Sequence, residues 1–191
     1  MTPETTPDRS TTPGQTVGPF FGYALPFARG EQLVPLGRAD SIRLHGTVYD
    51  GNSDPIPDAL LELWQADSDG AIPSERGSFL RDGYTFTGWG RAPVDNVGQF
   101  SFTTVEPGVV QDRHARFFSL VVFARGLLDK LHTRIYLPED TDAHAVDPLL
   151  CSLSADERRT LIATREPNGS LRFDVRLQGE GETVFLDYWG T

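Results

Sequence analysis

The sequence is nearly without cysteine. Cys151 is the only one, so no disulfide can form within the chain, a cysteine-ligated zinc or iron–sulfur centre is excluded, and the composition fits a reducing cytosol. Long apolar runs are equally scarce. The longest, Phe117 to Ala124, is interrupted by Ser119 and falls far short of the ~20 residues a membrane-spanning helix requires. Positive charge is short as well: 17 Lys plus Arg stand against 27 Asp plus Glu, a net charge of −10. That sign repels nucleic acid and anionic lipid surfaces, and neither is expected as a partner. An anionic small substrate would meet the same field, so a site for one needs a local cation or a cluster of backbone N–H groups.

Several motifs are missing too. Met1 to Gln15 has no basic start followed by a hydrophobic core, and Glu4 and Asp8 argue against a mitochondrial presequence. The four histidines, His45, His114, His132 and His144, are scattered, with no His-Glu-x-x-His spacing. No Gly-x-Ser-x-Gly elbow occurs. Asp67-Ser68-Asp69-Gly70 begins like a calcium loop, but Ala71 to Ser78 do not supply the further ligands. Gly88-Trp89-Gly90-Arg91 lacks the third glycine of a dinucleotide cradle, and no internal repeat is visible.

What is present is a β pattern. The 191 residues are 38% hydrophobic and include 12 Phe, enough for one packed core without a staple. Ile42, Leu44, Gly46 and Val48 alternate with Arg43, His45, Thr47 and Tyr49, which predicts a half-buried strand. Further strands are predicted over Ala59 to Ala66, Gln99 to Val105, His132 to Leu137 and Ser170 to Gln178. Phe117 to Ala124 reads as a strand buried on both faces. Ala71 to Arg91 reads as irregular. The single helix expected starts at the capping box Ser154-Ala155-Asp156-Glu157 and runs for about three turns at most. Short strands, regular turn signals and one short helix predict a mainly β, two-sheet β-sandwich. Residues 1–40 are expected to form an arm and residues 41–191 the sandwich. The aromatics of Thr16-Val17-Gly18-Pro19-Phe20-Phe21-Gly22-Tyr23 would lie either in a groove of the same domain or against a partner. Arg134 is the cation to weigh. A strand arginine is usually a solvated charge or a partner for acidic neighbours, here Glu139, Asp140 and Asp142. The alternative is a carboxylate clamp, because a guanidinium matches a carboxylate bidentately and keeps its charge.

Five separated segments carry a resemblance: Thr16-Val17-Gly18-Pro19-Phe20, Gly108-Val109-Val110, Val122 to Gly126, His132-Thr133-Arg134-Ile135-Tyr136, and Gly179 to Phe185. In this order they resemble the intradiol ring-cleavage dioxygenases, and within them the alpha-type chains of the protocatechuate 3,4-dioxygenases. The resemblance implies a transthyretin-like sandwich that pairs with a homologous beta chain. It implies that the pair cleaves protocatechuate with O2 at an Fe(III) held by two tyrosines and two histidines. Aligned through Ala124-Arg125-Gly126, Phe117 and Ser119 stand where the beta chain has histidines, and Val110 stands at one tyrosine position. The other falls near Ser78, with Tyr84 the closest tyrosine. The resemblance therefore implies that the iron belongs to the partner. It implies that Thr16, Gly18, Pro19 and Arg134 line the substrate side of a shared site. An unconventional metal site built from His114 and Tyr84, or a stand-alone binding module on the same sandwich, are the other readings weighed.

Overall fold

The structure, a computed structural model, describes residues 20–74 and 81–188. Six strands of five residues or more carry the architecture: β1 Ile42–Tyr49, β2 Leu60–Trp64, β3 Trp89–Pro93, β4 Gln99–Thr104, β5 Phe117–Phe123 and β6 Leu131–Tyr136. Three two-residue strands, β7 Thr164–Arg165, β8 Leu171–Arg172 and β9 Val175–Arg176, complete two sheets. One sheet runs β4-β1-β8-β7, with β9 also on β1; the other runs β3-β2-β5-β6. The two form a β-sandwich, as the turn spacing predicts.

Alternation decides which side chains enter the space between the sheets. Leu44 and Val48 of β1, Phe100 and Phe102 of β4, Phe118, Leu120 and Val122 of β5, and Ile135 of β6 all belong to one core cluster. Burying such side chains contributes roughly 1.5–3 kcal/mol each. β5 differs from expectation: it is central, between β2 and β6, but Phe117, Ser119 and Phe123 on its outer face remain only partly buried. Among the described residues nothing packs over the whole of that face.

Three further expectations change. Trp89 to Arg91, read as irregular, belong to strand β3, paired antiparallel with β2. Its glycine disguises it: a Cβ on Gly90 would lie 2.4 Å from the Leu33 side chain, so close packing, not strand propensity, selects the residue there. The clean alternation of Ser170 to Gln178 is broken between β8 and β9, because the Thr47 N–H is taken by the Asp174 carboxylate at 3.0 Å instead of a backbone carbonyl. The helix is not alone either. Short helices α1 Phe21–Ala24, α2 Thr141–His144 and α3 Pro148–Ser152 precede α4 Ala155–Arg159. The Ser154 capping box is formed, but α4 spans only five residues.

α3 has a sequence signature of its own. Asp147 is its N-cap, accepting from the N–H groups of Leu149 and Leu150, with Pro148 in the first turn. Its Leu150 packs with Leu161, Tyr136 and Ala115 in a second, smaller core beyond the outer face of the β5–β6 end. The Tyr136 side chain, which alternates with Ile135 and Leu137 and so faces away from the main core, is also completely buried. Among the aromatics near the start of the described chain, Phe21 is buried against Phe123, at 6.3 Å between centroids, while Phe20 and Tyr23 are exposed. Leu33 and Val34 are buried beside β4, whose Thr103 carbonyl accepts from both N–H groups.

Candidate functional site

The register of the β3-β2-β5-β6 sheet sets out the site. Trp64 pairs with Ser119 and Ser119 with Arg134, so an indole, a hydroxyl and a guanidinium form one row across three strands. Phe117 pairs with Tyr136 in the adjacent outward row. Because Phe118 and Leu120 point into the core, Phe117 and Ser119 must point out of it.

Val110 reaches the same face through a turn. The Asp67 carboxylate accepts from the N–H groups of Asp69 and Ala71 at 3.0 and 2.8 Å, and the Asp67 carbonyl accepts from Gly70 and Gly108. Asp67-Ser68-Asp69-Gly70 thus serves as a turn that grips residues 108–110. Gly70 is required there: its φ is +86°, and a Cβ would lie 2.1 Å from the Val109 carbonyl oxygen. Val110, Phe117 and Ser119, the three described positions at which the resemblance implies metal ligands, consequently line one pocket of about 170 Å³ with Trp64 and Ile72. Valine and phenylalanine have no donor atom, and a serine hydroxyl is one neutral oxygen, so these residues do not fit an Fe(III) ion. Among the described residues no three His, Cys, Asp or Glu side chains gather at ligating distance.

Arg134 stands at the other end of the row. Its guanidinium carbon lies 4.1 Å from the centroid of the Phe117 ring, and its Nη1 donates to the Tyr136 hydroxyl at 3.2 Å. Two of the acidic neighbours that would make it a structural ion pair, Glu139 and Asp140, are engaged elsewhere. Glu139 binds Arg165 at 2.8 Å, Asp140 binds Arg116 at 2.6 Å, and Glu106 bridges both of those arginines. Burial opposes the charge of Asp140, yet the hydrogen bonds from Arg116 prevail and hold its carboxyl below the ordinary range. Hydrogen bonding from Arg165 does the same for Glu139. No carboxylate lies within ion-pair distance of Arg134 among the described residues.

Behind Arg134 the polar chain continues. The Tyr136 hydroxyl donates to Asp147 Oδ1 at 3.2 Å. Oδ1 also accepts from Leu149 and Leu150, and Oδ2 from the Ala115 N–H at 3.1 Å. His114 Nδ1 approaches Asp147 Oδ2 at 3.6 Å, and the His144 ring meets the Tyr136 ring edge-on at 6.0 Å. Burial pushes the Tyr136 phenol up to about 12.

The remaining expected site residues divide. Thr16, Gly18, Pro19 and Ser78 lie outside the described residues. Tyr84 is exposed on the rim of a separate pocket with Arg29, Leu36 and Arg81. His114 faces Asp147, so the structure does not bring His114 and Tyr84 together. Tyr136 and Asp147 were missed as site residues. The signal for Asp147 was its position as a helix N-cap before Pro148; nothing local marked Tyr136.

Comparison with known proteins gives this geometry a lineage. The family model described as Dioxygenase matches residues 17–179. A protocatechuate 3,4-dioxygenase alpha chain from Burkholderia cepacia is 36% identical over 192 residues, covering 92% of this chain and 96% of that one. The beta chain from the same organism is 28% identical, over 78% of this chain and 68% of its own length. Among solved structures, hydroxyquinol 1,2-dioxygenase from Pseudomonas putida DLL-E4 superposes with a TM-score of 0.59 at 18% identity, over 91% of this chain and 69% of that one, a likeness of fold. With the two-sheet sandwich, the extent of the family match and the alpha-chain identity all in agreement, this chain belongs to the intradiol dioxygenase family.

Proposed function

We propose that this chain is the alpha-type subunit of a protocatechuate 3,4-dioxygenase, inactive alone, that assembles with a homologous beta chain holding Fe(III). The complex would cleave protocatechuate with O2 to 3-carboxy-cis,cis-muconate, a step of aromatic catabolism carried out in the cytoplasm. One observation carries this reading: Arg134 is held on the outer face of the sheet by neutral groups, its charge unspent, while Arg116 and Arg165 are paired with the acidic loop. In a chain of net charge −10 such a cation is what a carboxylate substrate needs.

The chain's own share of the work is binding and orientation. Arg134 takes the ring carboxylate through charge-assisted hydrogen bonds. The arm, residues 1–40, forms part of the partner interface, and Thr16, Gly18 and Pro19 close the substrate side of the site. No step is assigned to a metal in this chain, since Val110, Phe117 and Ser119 do not fit one.

The test is co-expression with a beta-chain homologue. The chain purified alone is expected to be colourless and iron-free. The co-purified complex is expected to be coloured by phenolate-to-iron charge transfer, to contain iron and to consume O2 with protocatechuate. Stoichiometric iron in the isolated chain would overturn the reading.

A second reading rests on the pocket itself. About 170 Å³ of space bounded by Trp64, Phe117 and Val110 suits a small ring, so a binding module without a catalytic partner is the alternative. Calorimetric titration of the isolated chain with protocatechuate separates the two, because only the module binds it unaided.

A further inference from the structure

Arginines fixed in place by folded proteins are ordinarily fixed by carboxylates, as Arg116 and Arg165 are here. Arg134 is fixed differently. The Phe117 ring lies against its guanidinium at 4.1 Å, and the Tyr136 hydroxyl accepts from Nη1 at 3.2 Å. A ring face and a phenol oxygen both attract a cation without neutralising it. The hydroxyl cannot turn away. A carboxylate accepts only, so the Tyr136 proton points to Asp147 Oδ1, and the phenol oxygen is left with its lone pairs toward Arg134. Asp147 is in turn immobilised by three backbone N–H groups, from Ala115, Leu149 and Leu150. Tyr136 is buried with Ala115, Leu150 of α3 and Leu161, and its backbone is fastened by the N–H of Ala163 and the carbonyl of Leu161.

We propose that Phe117 and Tyr136, the latter oriented by Asp147, are positioning residues that hold the Arg134 guanidinium in one orientation for a substrate carboxylate. The inference rests on the reading of Arg134 as the carboxylate clamp. A free arginine carries substantial rotamer entropy, so an arginine oriented before the substrate arrives loses less on binding. Phe117, which stands where a metal-binding chain of this family has an imidazole, thereby acquires a use of its own.

The test uses the complex with a beta chain and compares protocatechuate with catechol, the same ring without the carboxylate. Arg134→Ala should lower the preference for protocatechuate about 10- to 100-fold, chiefly through KM, the range for lost hydrogen bonds to a charged group. Tyr136→Phe and Phe117→Leu should each lower it about three- to tenfold, again in KM rather than kcat. Phe117→Tyr, which keeps the ring, should restore it. Crystal structures of Tyr136→Phe and Phe117→Leu should show the guanidinium displaced. A preference unchanged in both variants while Arg134→Ala abolishes it, or equal losses with both substrates, would overturn the proposal. Should Arg134→Ala itself leave the preference intact, the clamp reading fails. The crystal structures then decide the cradle alone: a guanidinium unmoved in both variants refutes it, and a displaced one supports it. If Tyr136→Phe does not fold, the Phe117 pair carries the same comparison.

Discussion

Tyr136 is where single side chains matter most. Its phenol, ordinarily near 10, is pushed up to about 12 chiefly by burial, with hydrogen bonding from Arg134 acting the other way. A raised value in the folded state means that the neutral phenol is favoured by folding. Its contribution is therefore complete below pH 10 and is lost as pH rises toward 12. The fold should lose on the order of 2–3 kcal/mol across that window. Chemical denaturation followed by circular dichroism between pH 9 and 12 should show this slope in the wild-type chain and a shallower one in Tyr136→Phe. Equal slopes would refute the assignment. Tyr136 also shows what residue-level reading misses. Alternation puts it opposite Ile135, but the face opposite the sandwich core is covered at that end by Leu150 of α3 and by Leu161, which lie 14 or more positions later in the chain.

Among the elements, β1 is the one whose surroundings are most demanding. It pairs antiparallel with β4 and parallel with both β8 and β9. Gly46 lies where the 171–176 segment crosses: a Cβ there would stand 1.8 Å from the Phe173 carbonyl oxygen, a contact with backbone that cannot swing aside. Gly46→Ala is expected to cost on the order of 3 kcal/mol, the upper part of the range for overpacking. It should lower Tm by several degrees in differential scanning calorimetry while leaving the Arg134 cradle on the other sheet intact. An unchanged Tm would show that the segment relaxes. At this scale β1, β4 and β6 are readable from alternation, since each has one face in the core, and β2 and β5 from short continuous apolar runs. β3 was not readable, since Gly90 answers to the Leu33 side chain across the sheet and not to strand propensity. The interruption between β8 and β9 was equally hidden, because a side-chain carboxylate, Asp174, replaces a ladder carbonyl.

For the molecule as a whole, the question is where an acidic chain meets its substrate. Its charge is unfavourable to an anion at long range, so under the proposed function affinity for a carboxylate substrate would come from Arg134 at contact and from surfaces supplied in assembly. If residues 1–40 contribute to the partner interface and Thr16 to Pro19 close the shared site, deleting residues 1–19 should reduce the activity of the complex by at least about tenfold, the scale of misplaced substrate-positioning groups. The Tm of the isolated chain serves as the control. Full activity of the shortened chain with its beta partner would refute the role of the arm. The two core clusters consist of residues beyond position 32, so the sandwich has a core independent of that segment.

By itself the sequence determined the sandwich, its principal strands and the nature of the groups at the ligand positions. Period-two burial is a local property, and a side chain without a donor atom lacks one in any fold. Tertiary structure alone decided that Val110, Phe117 and Ser119 converge on one pocket. It also decided that Arg134 rests on Phe117 and Tyr136 while the acidic loop is paired elsewhere. Those contacts join residues on different strands and helices, and their register is set by the packing of two sheets and a helical cap rather than by any neighbour in the chain.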